Sequence, residues 1–286
     1  MKVTLNAPAK INLYLDVLGR RENGYHDIES IMQTVTLFDT VTVERSDELS
    51  MTCSEASLPC DEKNLCIKAA RRFFEKTGIT GGARIHVEKR IPVSSGLAGG
   101  STDAAATLKA LNEIYGHPMT EDELYALGAT LGADVPFCMK GGCVLCRGIG
   151  EEMTEISYNC DYSVVIARAG EGVSTPKAYG ALDEKYGDGL AKPFGNVEKI
   201  ISALDGGDSA AVADEMLNTF EAVVLPYHKE AREAVEYLKS ADSLGAMMSG
   251  SGPAVFALFD SDVKSQSAAD SLTEKGYRAF AVRPTP

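Results

Sequence analysis

At 286 residues, the chain is long enough for one large domain or two ordinary ones. Apolar residues make up 44% and charged residues 24%, close to globular averages, so the chain can bury a core and need not be disordered. Lys and Arg number 28 against 41 Asp and Glu, a net charge of −13, so nucleic acid and anionic membranes are not expected as partners. A polyanionic small molecule would have to be bound by local backbone N–H groups and one or two lysines.

The cysteines indicate a reducing compartment. They number seven in a chain that is not a small secreted scaffold, so we expect free thiols and a cytoplasmic location. Cys143-x-x-Cys146 is either half of a zinc or redox site or a pair of buried strand thiols; its apolar surroundings, without a second pair or a histidine cluster, favour the thiols. No stretch approaches the roughly 20 apolar residues that span a bilayer, and the N-terminus lacks the apolar segment typical of export.

Alternating apolar and polar residues predict that the chain begins with strands. A helix follows at Asn64 to Lys76, where Leu65, Ala69 and Phe73 recur at four-residue spacing and Thr77-Gly78 provides a stop. The next strand leads into a glycine-rich segment. The predicted strands are Val3–Leu5, Ile11–Val17, Thr34–Leu37, Thr40–Val43 and Ala83–Arg90.

Two helices follow the glycine-rich segment. An apolar stripe predicts the first from Ser101 to Tyr115, and a capping box of Thr120 and Glu123 opens a second that runs through Leu131. Strands return from residue 141 to 169, and we place a domain boundary near residue 160, which gives domains 1–160 and 161–286. The second half mixes helices at Lys177–Lys185, Val197–Leu204, Ser209–Leu217 and Tyr227–Leu238 with strands at Leu244–Met248, Ala254–Phe259 and Arg278–Val282. This mixture predicts an α+β protein of two lobes.

The glycine-rich segment from Pro92 to Thr102 reads PVSSGLAGGST. Its glycines let the backbone approach a ligand closely, and a helix with its N-cap at Ser101 or Thr102 presents unpaired N–H groups and a positive dipole end, where phosphate binds. The same residues also fit a simple strand-to-helix turn. Neither G-x-x-x-x-G-K-[ST] nor G-x-G-x-x-G is present, so the segment is not one of the two commonest nucleotide loops.

Three motifs resemble those of the GHMP kinases, the superfamily of galactokinase, homoserine kinase and mevalonate kinase. Residues 92–105 (PVSSGLAGGSTDAA) are similar to its P-x-x-x-G-L-x-G-G-S-S loop, residues 6–13 (NAPAKINL) to its first motif, and residues 245–254 (GAMMSGSGPA) to its third, a second glycine-rich loop. The resemblance implies a two-lobed α+β GHMP kinase fold with the active site in the cleft between an N-terminal ATP-binding lobe and a C-terminal lobe. It also implies ATP and Mg²⁺ as cofactors.

Two further stretches resemble one branch of the superfamily, whose small-molecule substrate carries a cytidine diphosphate group. They are PAKINLYLDVLGRRENGYHDIES at residues 8–30 and LGADVPF at residues 131–137. The branch uses ATP to phosphorylate a tertiary 2-hydroxyl in the methylerythritol phosphate route to isoprenoid precursors. Mevalonate kinase, homoserine kinase and mevalonate diphosphate decarboxylase are alternatives within the superfamily, and a nucleotide-binding regulator without catalysis is an alternative of another class.

The resemblance implies two catalytic residues. Asp134 would be the base that accepts the proton of the substrate hydroxyl, a role that a positioned carboxylate has in kinases; the structural alternative is a helix-cap or turn aspartate. Lys10 would pair with Asp134, orient its carboxylate and stabilise the ionised hydroxyl; the structural alternative is a solvated lysine at a strand edge.

The resemblance also implies a cytosine site. Tyr25 and Tyr179 would sandwich the cytosine ring and His26 would bond to its edge, although tyrosines are also common at surface turns. Asn12 would hold the substrate through its amide, and Thr175 would contact the same region.

On the nucleotide side, Asn64 and Lys89 are candidates for contacts to adenine. No protein ligand for Mg²⁺ stands out, although Ser101 or Thr102 could contact it. The chain departs from its relatives at Val93-Ser94-Ser95 and at Ala98, where glycine is common, which implies a stiffer loop with added hydroxyl contacts. The residues expected around the ATP phosphates are Pro92, Val93, Ser94, Ser95, Gly96, Leu97, Ala98, Gly99, Gly100, Ser101 and Thr102.

Overall fold

Two long strands open the chain in this computed structural model, which describes residues 1–285. They are β1 (Lys2–Arg20) and β2 (His26–Ser46). Both contribute to each of two compact units, because the units interleave along the chain. The domain boundary expected near residue 160 assumed two continuous segments and stays a prediction. Unit 1 comprises Met1–Ala9, Leu37–Val93 and Ala98–Gly141, and unit 2 comprises Lys10–Thr36, Ser94–Leu97 and Gly142–Pro286.

Unit 1 combines a small sheet with four helices. The end of β2 pairs antiparallel with β4 (Gly82–Glu88), and β4 pairs in parallel with β3 (Ser50–Cys53). Helix α2 is central, because the other three helices all pack against it or its neighbours. The helices are α1 (Leu65–Thr77), α2 (Gly99–Ile114), α3 (Glu121–Ala129) and α4 (Asp134–Lys140).

Unit 2 contains a four-stranded sheet in the order β11-β7-β10-β9, with antiparallel neighbours. Two helices, α9 (Lys229–Ser240) and α10 (Asp262–Glu274), pack on this sheet and bury an apolar core that includes Val235, Phe259 and Leu272. The strands are β7 (Ser163–Arg168), β9 (Gly245–Met248), β10 (Ala254–Phe259) and β11 (Arg278–Val282).

The remainder of unit 2 surrounds the parts of β1 and β2 that belong to it. β2 pairs antiparallel with β5 (Cys143–Arg147), β5 pairs with β6 (Glu152–Glu155), and β1 pairs in parallel with β8 (Leu217–Asn218). A second core joins Val17 and Ile28 of the long strands to Leu182 and Phe220. The helices are α5 (Thr175–Tyr186), a 3₁₀ helix at Gly187–Ala191, α6 (Val197–Gly206), α7 (Ser209–Asp214) and α8 (Glu221–Val224).

Several local expectations are confirmed. The capping box is present, because Thr120 accepts a bond from the N–H of Glu123 and the Glu123 carboxylate accepts one from the N–H of Thr120. Cys143 and Cys146 are buried on β5 as strand thiols, and all seven cysteines are free. In the described part of the chain, no helix combines the length and the apolar character needed to cross a membrane.

Other expectations were wrong. The helix expected over Ser209–Leu217 ends at Asp214, because Leu217 belongs to β8 and pairs with Tyr14 of β1. Helix α4 was not expected, since its third residue is Pro136; a proline is tolerated in a first turn, where its missing N–H has no intrahelical partner. Helix α10 was also missed, because most of its buried positions are small residues that give a weak apolar stripe.

Candidate active site

The second half of the glycine segment forms the start of α2 in unit 1. The N-cap is Ala98, three or four residues earlier than expected, and no side chain caps the helix. Ala98 adopts a left-handed φ of 57°, whereas Gly99 and Gly100 already belong to the helix. A Cβ on Gly99 would lie 3.1 Å from Cγ2 of Ile91, so a larger residue there would require Ile91 to shift by a few tenths of an ångström. The helix therefore presents uncapped N–H groups where an anion binds.

Residues 94–97 of the segment belong to unit 2, where they lie against the third motif. Ser95 accepts a bond from the backbone N–H of Ala254 at 3.0 Å, and the carbonyl of Gly96 accepts one from Oγ of Ser249 at 3.1 Å. Gly96 has a φ of 81°, and any Cβ there would overlap the carbonyl oxygen of Ser249. The two glycine-rich segments are thus locked together, and Leu97 is fully buried beneath them.

Thr175 and the third motif are directly linked. Oγ1 of Thr175 lies 2.8 Å from Oγ of Ser251, next to the left-handed Gly250 and Gly252. The amide of Asn218 donates to the carbonyl oxygens of Met248 and Gly250 at 2.7 and 2.9 Å, which fixes the backbone of this loop. Thr175 is therefore placed beside the second glycine-rich loop.

A buried charge cluster lies behind the start of α2. The Lys89 ammonium pairs with Asp39 and, at 2.7 Å, with Asp103. Asp39 also accepts the N–H groups of Arg90 and Ile91, whereas Oδ1 of Asp103 is buried without a partner. Burial raises the pKa of Asp103 to about 7, against the attraction of Lys89. Lys89 therefore already holds two carboxylates, and its expected contact with adenine stays a prediction.

Thr102 carries a second unsatisfied group at the start of α2. Its Oγ1 is buried and has no hydrogen-bond partner. Since a buried hydroxyl without a partner is costly, this atom is suited to a ligand that arrives from outside.

Two other candidates of unit 1 lie at helix starts. Asp134 is the first residue of α4 and half-buried, so its carboxylate lies at the positive end of the helix dipole. Asn64 is the N-cap of α1: its Oδ1 accepts the N–H of Cys66 at 2.9 Å and its Nδ2 donates to the carbonyl of Pro59 at 2.8 Å. The N-cap of α4 is Ala133, so Asp134 is not a capping residue, whereas Asn64 is one. The roles of both residues toward substrate and nucleotide stay predictions.

A row of buried polar side chains follows one face of β1 in unit 2. Lys10 is 4% exposed and donates to Oδ1 of Asn12 at 2.6 Å, while Nδ2 of Asn12 donates to Oγ of Ser30 at 2.8 Å. Further along the same face, Tyr14 donates to Oδ2 of Asp16 at 3.3 Å, and burial beside that carboxylate raises the pKa of Tyr14. Lys10 is not a solvated edge lysine, because it is buried and held by Asn12. Its pairing with Asp134 stays a prediction.

The cytosine-side candidates are grouped in unit 2 in an arrangement that differs from a simple sandwich. The rings of His26 and Tyr179 stack with centroids 4.5 Å apart, and Tyr179 meets Phe220 edge-on at 4.9 Å. Tyr25 is 61% exposed and its neighbour His26 is buried. One face of Tyr179 is thus covered by His26, so a base that stacks on Tyr179 needs its other face or a shift of the rings.

The sequence reasoning missed four residues that hold these candidates in place. They are Ser30, Asp39, Asp103 and Asp183, each bonded to a predicted site residue. Ser30 and Asp103 lie inside stretches that resemble the family motifs. Each is a polar residue among apolar ones, and this is a signal that could have identified them. Asp39 and Asp183 lie outside the motifs and carry no local signal.

Two family models match the chain. The GHMP kinases N terminal domain matches residues 64–142, which include the start of α2 and Asp134, and the GHMP kinases C terminal model matches residues 200–278, which include the third motif. The structure also has an uncapped helix start in the first glycine-rich segment and hydrogen bonds between this segment and the second one. Together with the two family matches, these features define a GHMP kinase.

Relatives that match over nearly the full length show which branch of the GHMP kinases the chain belongs to. A protein of Clostridium beijerinckii named 4-diphosphocytidyl-2-C-methyl-D-erythritol kinase is 42% identical over 282 residues, 98% of this chain and 99% of that protein. A protein of the same name from Caldicellulosiruptor bescii is 43% identical over 270 residues, 94% and 93% of the two chains. The crystal structure of a 4-(cytidine 5'-diphospho)-2C-methyl-D-erythritol kinase superposes with a TM-score of 0.83 at 33% identity and covers 99% of this chain and 100% of that one. The chain belongs to the 4-diphosphocytidyl-2-C-methyl-D-erythritol kinase family of the GHMP kinases, and its fold is the mixed α and β fold expected.

Proposed function

We propose that the chain transfers the γ-phosphate of ATP to the 2-hydroxyl of 4-diphosphocytidyl-2-C-methyl-D-erythritol, in the methylerythritol phosphate route to isoprenoid precursors. The observation that carries the proposal is the 42% identity over nearly the full length of a relative of that name, in a chain that also has the residues expected on the cytidine side. Homoserine kinase and mevalonate kinase structures superpose at 21% and 15% identity, which indicates only the fold.

On the nucleotide side, the phosphates of ATP would bind at the uncapped start of α2. This site supplies backbone N–H groups and the positive end of a 16-residue helix dipole, which is how a chain of net charge −13 can still bind a polyanion. Within unit 2, the conformation of residues 94–97 is fixed by Ser249 and Ala254. The rigid loop places the phosphates without reorganisation at the moment of transfer.

On the acceptor side, Asp134 would take the proton of the attacking 2-hydroxyl. As the first residue of α4, it would present its carboxylate beside the backbone N–H groups at the helix start. Lys10 would stabilise the developing alkoxide, and the bond from its ammonium to Asn12 orients it for that role. Asn12 retains one amide proton for the substrate beyond its bond to Ser30.

Mg²⁺ would enter this site with the nucleotide. The described side chains include no group of three His, Cys, Asp or Glu residues able to hold a metal ion, whereas the buried, unpaired Oγ1 of Thr102 fits a ligand at the start of α2. Thr102, with Ser101 beside it, is the residue that would contact the ion, and ATP oxygens and water would supply the other ligands. The ion would neutralise charge on the β- and γ-phosphates.

The seven free cysteines support a cytoplasmic location for the reaction, because a reducing compartment keeps thiols unpaired. The partner on this proposal is the small-molecule substrate with its cytidine diphosphate group.

An acceptor panel tests the proposed function. The purified protein is incubated with ATP, Mg²⁺ and, in separate reactions, the diphosphocytidyl substrate, mevalonate, homoserine and mevalonate diphosphate, and ADP release is followed. We expect turnover with the diphosphocytidyl substrate alone. Turnover of mevalonate or homoserine without turnover of that substrate would overturn the proposal, and binding of ATP without turnover of any acceptor would indicate a regulator.

A further inference from the structure

The ring of His26 is held by a carboxylate from a distant part of the chain. Nε2 of His26 lies 2.7 Å from Oδ1 of Asp183, which is on α5 and 157 residues away in sequence. His26 is 7% exposed and the side chain of Asp183 is 28% exposed, so this bond is partly shielded from water. No motif of the family resemblance includes Asp183.

This bond fixes the tautomer of the imidazole. An ionised carboxylate can only accept a hydrogen bond, so the proton of neutral His26 must be on Nε2. Nδ1 is then an acceptor, and within residues 1–285 the ring has no hydrogen-bond partner besides Asp183. With Nε2 bonded to Asp183, Nδ1 is the nitrogen that can accept a hydrogen bond from a ligand.

Two further contacts hold the pair rigid. Tyr179, one turn before Asp183 on α5, stacks on the imidazole with an angle of 18° between the rings. The other carboxylate oxygen of Asp183, Oδ2, lies 3.5 Å from the guanidinium of Arg20. Helix α5 therefore orients the imidazole of His26 in two ways: Tyr179 stacks on the ring face and Asp183 bonds to Nε2.

We propose that Asp183 is the positioning residue that gives this kinase its preference for cytosine over uracil, because it forces Nδ1 of His26 to be a hydrogen-bond acceptor toward the base. This inference rests on the proposed function, in which His26 lies at the edge of the cytosine ring.

The chemistry of the two bases explains the preference. At position 4 cytosine carries an amino group that donates a hydrogen bond, whereas uracil carries a carbonyl that only accepts one. An acceptor nitrogen at Nδ1 pairs with the amino group, but it faces the uracil carbonyl lone pair to lone pair and leaves two acceptors unpaired. Without Asp183 the imidazole can move its proton to Nδ1 and donate to uracil instead. The expected loss is in discrimination between the bases rather than in catalysis.

The experiment measures binding of CDP and UDP by calorimetry, without ATP, to the full chain and to Asp183→Ala, Asp183→Asn and Glu184→Ala. Glu184 is the matched control, because it is an exposed carboxylate on the same helix. We expect the ratio of UDP to CDP dissociation constants to fall about tenfold in Asp183→Ala. It should fall likewise in Asp183→Asn, because an amide can donate from Nδ2 to Nε2 and then leaves the imidazole proton on Nδ1, and it should be unchanged in Glu184→Ala.

Kinetics and thermal unfolding separate positioning from a folding defect. In Asp183→Ala we expect KM for the diphosphocytidyl substrate to rise while kcat, KM for ATP and the unfolding temperature stay close to those of the parent. Equal discrimination in Asp183→Ala and the parent chain would overturn the inference, as would a loss of ATP binding in parallel with CDP binding. A parent chain that binds neither CDP nor UDP and phosphorylates no diphosphocytidyl substrate would overturn the proposed function, and the inference with it.

Discussion

At the scale of single side chains, several residues of the candidate site and their partners are buried polar groups. Lys10, Asn12, Asp39 and Asp103 are each 6% exposed or less, where an unpaired charge would be costly. Three of them are satisfied by neighbours on the same unit, whereas Asp103 keeps one oxygen without a partner. Such groups persist where a ligand or a proton completes them.

Asp134→Asn tests the catalytic base. We expect kcat to fall by about 10²–10⁴ with the KM for ATP and the unfolding temperature nearly unchanged, because the amide keeps the shape but cannot take a proton. Steady-state rates with the diphosphocytidyl substrate measure the effect. Asp122→Asn, an exposed carboxylate on α3, is the control and should retain full activity. An unchanged kcat in Asp134→Asn would exclude Asp134 as the base.

Asp103→Asn tests the buried charge cluster. Burial raises the pKa of Asp103 from 3.8 to about 7, so between these values the folded chain holds a proton that the unfolded chain has released. The resulting stability is complete below pH 3.8 and is lost as the pH rises to about 7, at a slope approaching about 1.4 kcal/mol per pH unit.

Denaturant unfolding from pH 5.5 to 8.5 measures this slope. The free energy of unfolding of the parent should decline up to about pH 7 and then level off. In Asp103→Asn, whose amide mimics the protonated acid, this component should disappear. Asp122→Asn again serves as the exposed control, and an identical pH dependence in the parent and in Asp103→Asn would contradict the raised pKa.

At the scale of elements, the start of α2 shows how a glycine-rich loop is built when one glycine is replaced. The left-handed residue that enters the helix is Ala98, while Gly99 is kept for packing against Ile91. Alanine in this conformation is strained, because its Cβ approaches the following carbonyl oxygen. The sequence predicts a stiffer loop because alanine stands at position 98, and Ala98 is the residue that adopts the left-handed conformation.

Ala98→Gly should stabilise the chain. Glycine relieves the strain of the left-handed conformation, and this gain exceeds the stability lost because glycine makes the unfolded chain more flexible. We expect the free energy of unfolding to rise by about 1 kcal/mol. The same substitution at Ala126, exposed within α3, should lower it by about 1 kcal/mol, because glycine is a poor helix former. Chemical denaturation of both variants provides the comparison, and a loss of stability in both would contradict the strain at Ala98.

At the scale of the whole molecule, the chain and the polyanionic ligand proposed for it both carry negative charge. With a net charge of −13, the chain has no long-range attraction for ATP, so we expect binding to depend on helix starts and on individual lysines. Among the described side chains no cluster of metal ligands is present either. On the proposed function, in which Mg²⁺ enters with ATP, we expect the Mg²⁺ requirement of turnover to follow the nucleotide.

Removal of Mg²⁺ tests this dependence. EDTA should abolish turnover, and Mg²⁺ added in excess should restore it fully. Titration of Mg²⁺ into the protein without nucleotide should give no measurable heat, whereas titration in the presence of a non-hydrolysable ATP analogue should. Tight binding of Mg²⁺ by the free protein would contradict the assignment of most ligands to ATP and water.

The sequence alone was sufficient for the strands, most helices, the capping box at Thr120 and the kinase family, because periodicity, caps and motifs are each encoded within a few neighbouring residues. It did not reveal α10, whose buried face is made of small residues, or the interleaving of the two units. Only the tertiary structure brought Asp183 to His26 and Asp39 to Lys89, 157 and 50 residues apart. Such pairs leave no local pattern, since each partner is an ordinary carboxylate until the fold places it beside a buried nitrogen.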